Sequence, residues 1–128
     1  MSDPISDMLT RLRNAGAAQL PQVKLPHSRI KESAAKILKS EGFVADVSVS
    51  GDKKKDITIR LKFDGKKSVI EGIKRISKPG LRRFVGSTEI PRVRGGLGVA
   101  VLSTSEGLMT DSQARKKNLG GELLFFVW

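Results

Sequence analysis

Three consecutive hydroxyl side chains, Ser103-Thr104-Ser105, follow an apolar run and precede Glu106 and Gly107. Hydroxyls and backbone N–H groups at the end of a buried strand can bond to base edges, phosphates and the 2′-hydroxyl of RNA. Ser and Thr are also ordinary turn residues in front of a glycine. The residues alone therefore leave two interpretations open, a nucleic-acid contact and a plain turn.

A second group of candidate residues is cationic and rich in arginine. Nine basic side chains fall between Lys66 and Arg94, against the two acidic ones Glu71 and Glu89. Arginine binds phosphate through two parallel hydrogen bonds, so we interpret this segment as a phosphate-facing surface. Phe84 lies within it and would either stack on a base or pack in the core. The cationic candidates are Lys74, Arg75, Lys78, Arg82, Arg83, Arg92 and Arg94.

Another cationic cluster, Lys53-Lys54-Lys55, lies in a polar stretch of the first half. It fits a phosphate contact and a solvated turn equally well. We leave both interpretations open for these three residues.

The sequence offers little that could support catalysis or a cofactor. His27 is the single histidine, and cysteine and tyrosine are absent, so a disulfide framework and a Cys- or His-rich metal site are excluded. Residues 65–68 (GKKS) lack the upstream glycine and the magnesium-binding hydroxyl position of a phosphate loop. The glycine-rich residues 95–98 precede a predicted strand, whereas a dinucleotide fingerprint follows one. We expect a protein that is not an enzyme and has no cofactor or metal.

The charge balance predicts a polyanionic partner. The 128 residues include 24 Lys and Arg against 13 Asp and Glu, a formal net charge of +11. Residues 1–64 carry net +4 and residues 65–128 net +7, so the excess is larger in the second half. Nucleic acid is the commonest polyanion that neutralises such an excess. No apolar run reaches the length of a signal peptide or membrane span, so we expect a cytoplasmic protein.

A membrane-surface protein is the rival from another class. It would need a long helix with a basic face opposite an apolar one, whereas these predicted helices are short and mix acidic with basic residues. An enzyme acting on RNA is a weaker third alternative. Liposome binding and RNA-cleavage assays would separate these alternatives from an RNA binder.

The first half is predicted to be α-β-α-β-β. One helix runs from Asp3-Pro4, a favoured capping pair, to Gly16, with Ile5, Met8, Leu9 and Leu12 on its apolar face. A short strand over 22–25 ends at Pro26, and a second helix starts after Ser28 and is stopped by Gly42 in the C-terminal glycine position. Alternating patterns at 45–49 and 57–63 then predict a hairpin with one buried face around the polar turn 51–56.

The second half is predicted to be β-rich with one short helix. The strands are expected at 69–76, 99–102 and 122–128, and a helical turn at 89–93 before Gly95-Gly96. Thr110 and Gln113 have capping-box spacing, which predicts a helix through Lys117. The boundary between the halves is expected at residues 64–67. The predicted domains are therefore 1–65 and 66–128, and the fold class is α+β with two small lobes.

Blocks of residues along the chain resemble the bacterial-type small-subunit ribosomal protein eight family. The blocks are DPI at 3–5, DMLTRLRNA at 7–15, RISKPGLR at 75–82, STS at 103–105, Gly107, MTD at 109–111, AR at 114–115 and GGE at 120–122. The resemblance runs in order from residue 3 to residue 128, and its last blocks are the most specific.

The resemblance implies an N-terminal lobe like a double-stranded-RNA-binding domain and a β-rich C-terminal lobe that makes most of the RNA contacts. It places these contacts on Ser103, Thr104, Ser105 and Gly107, supported by Gly121 and Glu122. It also implies a structural constituent of the small ribosomal subunit that binds the central domain of 16S ribosomal RNA early in assembly of the platform. Implied partners are small-subunit proteins five and twelve, and in some bacteria the protein's own messenger RNA, whose translation it represses.

Three residues depart from the family pattern. Glu106 stands where the family commonly has Lys, Phe84 replaces a frequent Tyr, and Phe125 replaces a common Cys. A carboxylate beside a phosphate-facing turn would be repelled unless a cation offsets it. We expect Arg115 or Lys116, on the helix that follows, to pair with Glu106.

Overall fold

The computed structural model describes residues 3–128, which form two compact units. The N-terminal unit is Pro4–Glu71, and the C-terminal unit is Gly72–Trp128 together with Asp3. The sequence placed the boundary after residue 65. In the structure Lys67–Ser68 pair with Phe63–Asp64, so the chain leaves the N-terminal unit only after this hairpin.

The N-terminal unit contains two helices, a three-stranded sheet and a small hairpin. The three-stranded sheet is antiparallel with the order β1-β3-β2, and β4 pairs with β5. This confirms the predicted α-β-α-β-β order and adds the hairpin. The elements are α1 (Pro4–Ala17), β1 (Gln22–Pro26), α2 (Arg29–Ser40), β2 (Val44–Ser50), β3 (Asp56–Leu61), β4 (Phe63–Asp64) and β5 (Lys67–Ser68).

Local sequence signals account for both helices. The predicted apolar face of α1 is buried, since Ile5, Met8, Leu9 and Leu12 are almost fully inaccessible to solvent. The Ser28 hydroxyl accepts a hydrogen bond from the Lys31 N–H and caps α2. Gly42, with φ of +82°, follows the last turn of α2. Its N–H bonds to the Lys39 carbonyl and the next N–H to the Leu38 carbonyl, the Schellman closure that favours glycine.

The end of α1 differs from the prediction. The helix continues past Gly16, and Gln19 takes the left-handed conformation with φ of +58°. The Gln19 N–H bonds to the Gly16 carbonyl and the Leu20 N–H to the Ala15 carbonyl, so a Schellman closure forms without glycine. A Cβ on Gly16 would lie 3.1 Å from the Ser68 side chain, so this glycine permits close approach of β5.

The buried face of β2 was also predicted wrongly. A bulge between Val44 and Asp46 breaks the alternation with β3, so Val44 is buried while Ala45 and Val49 are exposed. In β3 the alternation holds through Leu61. Phe63, predicted in the same strand, instead begins β4.

The C-terminal unit is built on a five-stranded antiparallel sheet with α3 beside it. The strands run in the order β6-β10-β8-β9, and β7 pairs with the first residues of β10 while β6 pairs with the last. The elements are β6 (Ile73–Arg75), β7 (Phe84–Val85), a 3₁₀ turn (Val93–Gly96), β8 (Val99–Thr104), β9 (Gly107–Thr110), α3 (Asp111–Lys117) and β10 (Gly121–Val127).

One core of this unit lies between the sheet and the helix. Leu102 of β8, Met109 of β9 and Leu123 of β10 contribute to it with Ala114 of α3. The predicted capping box is confirmed, because the Thr110 hydroxyl accepts the Gln113 N–H and the Gln113 side chain accepts the Thr110 N–H. Because Thr110 is also the last residue of β9, this cap fixes the start of α3 at the end of the β8–β9 hairpin.

Three predictions for this half need correction. Residues 69–76 do not form one strand, because the Val69 N–H bonds to the Lys62 carbonyl whereas only Ile73–Arg75 pair with β10. The helical turn lies at Val93–Gly96 rather than 89–93, and it includes Arg94 and both glycines at positive φ. Finally, β9 was missed: its four residues begin with glycine and show no strand pattern, and pairing with β8 makes them a strand.

Candidate nucleic-acid interface

Four side chains from four strands form a row across one end of the C-terminal sheet. Phe84 pairs with Glu122, Glu122 with Ser103, and Ser103 with Leu108. Directly paired residues of antiparallel strands point to the same face of a sheet. Phe84 is 70% exposed, so the row presents an aromatic ring to solvent next to a carboxylate and a hydroxyl. We call these four residues the sheet-end row.

The three predicted hydroxyls differ in their surroundings. Ser103 and Thr104 belong to β8, and Ser105 lies in the two-residue turn that leads to Gly107. The Thr104 hydroxyl donates to the Gly107 carbonyl at 2.9 Å and accepts the Glu106 N–H at 3.1 Å. Thr104 therefore stabilises the turn, while Ser105 is exposed at its tip.

Glycine is required at two positions around this hairpin. Gly107 closes the turn with φ of +101°, a conformation that side-chain-bearing residues rarely adopt. A Cβ on Gly121 would lie 2.2 Å from the Ser103 carbonyl oxygen. Gly121 thus lets β10 approach β8 where the hydroxyl run begins.

Glu122 lies at the centre of a hydrogen-bond network at this end of the sheet. Its Oε2 accepts from the Ser77 hydroxyl at 2.6 Å and from Nη1 of Arg82 at 2.8 Å. Partial burial acts to raise the pKa of Glu122, but these hydrogen bonds outweigh it and hold the pKa below its ordinary value of 4.5. Glu122 is therefore an anion that is already neutralised by its neighbours.

The cationic candidates fall into two groups along β10. Lys78, Arg82 and Arg83 lie on the chain that joins β6 to β7, near the start of β10 and the sheet-end row. At the other end of β10, Lys74 pairs with Phe126, and Arg94 places its guanidinium 4.7 Å from the centre of the Trp128 ring. The structure brings the first group to the end of the sheet that carries the sheet-end row and leaves the second at the far end of β10.

These cationic side chains also differ in their exposure and in their ion pairs within the protein. Arg75 is only 10% exposed, pairs with Asp3 at 3.1 Å and donates to the Leu124 carbonyl, so its guanidinium is engaged inside the C-terminal unit. By contrast, Lys74, Lys78, Arg83 and Arg92 are exposed and make no ion pair with any residue of the described range 3–128. These four side chains are available to phosphate.

Three contacts were not anticipated from the sequence. Lys117, rather than Arg115 or Lys116, pairs with Glu106, because Arg115 is engaged by Asp111 and by the Pro91 carbonyl. The other two are the hydrogen bond from the Ser77 hydroxyl to Glu122 and the contact of the Arg94 guanidinium with the Trp128 ring. Nothing in the local sequence distinguishes Ser77 from a solvent-exposed serine.

Within residues 3–128, no helix has the length and apolar character needed to cross a membrane.

The antiparallel sheets, the cationic loops and the hydroxyl-bearing turn define a basic α+β protein of the nucleic-acid-binding class. The chain belongs to the ribosomal protein S8 family, whose model matches residues 3–128. Members of this family are structural, non-enzymatic proteins of the small ribosomal subunit that bind ribosomal RNA and take part in translation.

Three of the similar proteins carry the same name. The chain is 54% identical over 128 residues to small ribosomal subunit protein uS8 of Spiroplasma kunkelii, covering 100% of this chain and 99% of that protein. It is 53% identical over 133 residues to the Cutibacterium acnes protein of the same name, covering 100% and 98%. It is 50% identical over 135 residues to that of Persephonella marina, covering 100% and 99%.

Proposed function

We propose that this protein is a primary binder of the central domain of 16S ribosomal RNA and helps to assemble the platform of the small subunit. The observation that supports this most directly is the sheet-end row, where an exposed Phe84 shares a row with Ser103, with Glu122 between them, next to the cationic segment around Arg83. Aromatic, hydroxyl and guanidinium groups together suit stacking, 2′-hydroxyl contacts and phosphate binding.

The proposed mechanism separates affinity from recognition. Lysine and arginine neutralise phosphates and release counterions, which supplies most of the affinity. The rigid turn at Ser105 then recognises the local shape of the RNA, since the major groove of A-form RNA is too narrow for side chains to read. The proposed RNA-contacting residues are those predicted from the sequence, except Arg75 and Glu122, whose charged groups are engaged inside the C-terminal unit.

The proposal extends to neighbouring molecules. Small-subunit proteins five and twelve are its proposed protein neighbours in the assembled subunit. Its own messenger is a second proposed RNA target, because a surface that recognises shape binds any RNA that presents the same shape. The likeness of the N-terminal unit to a double-stranded-RNA-binding domain stays a prediction.

The test is binding of the full chain to a transcript of the 16S central domain, with a transcript of equal length from another 16S domain as control. If about five to eight phosphates are neutralised, log K falls against log salt with a slope of roughly −4 to −7. Chemical footprinting of the complex locates the contacted nucleotides. Equal affinity for both transcripts, or a slope near zero, would refute the proposal.

A further inference from the structure

Ser77 is a buried serine that no sequence signal marks as functional. It lies between β6 and β7, and its side chain is 0% exposed. Its hydroxyl donates to Oε2 of Glu122 at 2.6 Å and accepts the backbone N–H of Arg83 at 3.0 Å. One hydroxyl therefore connects the carboxylate of β10 to the backbone of the cationic segment.

Further hydrogen bonds hold this segment against β10. The Leu123 N–H donates to the Arg83 carbonyl at 2.9 Å, and the Ser77 N–H donates to the Leu123 carbonyl at 3.0 Å. Glu122 additionally accepts from the Arg82 guanidinium at 2.8 Å. Since Phe84 pairs directly with Glu122, the backbone and one side chain of residues 82–84 are fixed relative to the sheet.

We propose that Ser77 and Glu122 are positioning residues that hold Arg82, Arg83 and Phe84 in the conformation that meets RNA. This inference rests on the proposed function of the surface. A segment that is already ordered loses less conformational entropy on binding than a mobile one, so preorganisation increases affinity without adding a contact.

The surroundings of the two residues favour positioning over direct contact. Ser77 has no exposed surface with which to reach a ligand. Glu122 is 17% exposed, and its Oε2 already accepts hydrogen bonds from Ser77 and Arg82, so little of the carboxylate is left to contact a ligand. The Glu122 carboxylate is engaged by Ser77 and Arg82 inside the unit. Arg83, by contrast, is exposed to solvent and makes no ion pair within the described chain.

The first experiment measures binding of full-length Ser77→Ala to the 16S central-domain transcript. Loss of the hydroxyl leaves the Arg83 N–H and the Glu122 carboxylate short of a partner, and we expect affinity to fall about fivefold to tenfold. The salt slope should stay unchanged, because no cation has been removed. Ser48→Ala, the same change at an exposed position of β2, is the matched control and should bind like the wild type. Unchanged affinity of Ser77→Ala would overturn the inference.

A double-mutant cycle separates positioning from a general effect on folding. In a background carrying Arg82→Ala, Arg83→Ala and Phe84→Ala, there is little left to position, so Ser77→Ala should change affinity by less than about twofold. The same loss in both backgrounds would show that Ser77 acts only on the fold. If the Arg82→Ala, Arg83→Ala, Phe84→Ala protein itself bound like the wild type, the proposed RNA surface would fail, and this inference with it.

Glu122→Gln keeps the side-chain shape and gives a test that does not depend on Ser77→Ala folding. Electrostatics alone predicts tighter RNA binding, because an anion is removed and Arg82 is released. Positioning predicts weaker binding, by about threefold or more, because the charged acceptor of Ser77 and Arg82 is lost. Weaker binding by a folded Glu122→Gln protein supports the inference, and equal or tighter binding overturns it.

Discussion

Nζ of Lys117 lies 3.1 Å from Oε1 of Glu106, so the last turn of α3 supplies a cation to the tip of the β8–β9 hairpin. Both side chains are 54% exposed, and water and salt therefore screen the pair. The negative charge beside the hydroxyl turn is offset within the C-terminal unit itself. Because of this pairing, a substitution of Glu106 releases Lys117 in addition to changing the charge at the tip of the hairpin.

Glu106→Lys is expected to tighten RNA binding and to steepen its salt dependence by roughly one unit of slope. The substitution reverses the charge at the tip and frees Lys117 for phosphate. RNA binding at two salt concentrations, with circular dichroism to verify folding, measures both effects. Glu106→Gln, which removes the charge only, should give a smaller gain. Weaker binding by a folded Glu106→Lys protein would mean that Glu106 itself accepts a hydrogen bond from RNA.

Ser105→Ala is expected to cost on the order of 1–2 kcal/mol of RNA-binding free energy, because it leaves an RNA group unpaired in the complex. Stability should hardly change, since Ser105 is exposed in the turn. Lys53→Ala should cost much less, because the charge of an exposed turn is screened by solvent. Titrations against the same transcript compare the two variants. A larger loss for Lys53→Ala would move the site to the N-terminal unit.

Gly121→Ala is expected to lower the free energy of unfolding by about 1–3 kcal/mol, the usual cost of forcing a group into a filled space. The added Cβ would meet the Ser103 carbonyl oxygen and separate β10 from β8. Gly80→Ala is the matched control, since a Cβ there meets no atom within 4 Å and its φ is not in the left-handed region. Urea unfolding of both variants provides the measurement, and equal stability would contradict the close approach.

The lowered pKa of Glu122 predicts an acid-dependent contribution to stability. A carboxyl group with a folded-state pKa below its unfolded value stabilises the fold above the unfolded value of 4.5, and this contribution disappears as pH falls through the folded pKa. Wild-type stability should therefore fall more steeply below about pH 4.5 than that of Glu122→Gln. Urea midpoints across this range measure the difference, and parallel curves would show that the Ser77 and Arg82 contacts do not stabilise the charged form.

Much of the fold could be predicted because its signals are local. The apolar face of α1 is encoded by the helical spacing of Ile5, Met8, Leu9 and Leu12, and the Thr110–Gln113 capping box spans only four residues. Strand limits were less predictable, because a strand exists only where a partner supplies hydrogen bonds. The bulge at β2 and the strand β9 both depend on such a partner.

By itself, the sequence determined the class of fold, the cationic character of the second half and the run of three hydroxyls at Ser103-Thr104-Ser105, since composition and short-range patterns contain that information. Only the tertiary structure decided which charges are free. Arg75 and Asp3 are 72 residues apart in the chain, and Ser77 and Glu122 are 45 apart, yet each pair is within hydrogen-bonding distance. The Ser77–Glu122 contact depends on how β6 and β7 pair with β10, and the Arg75–Asp3 contact depends on the residue before α1 lying next to β6. No local pattern encodes either arrangement.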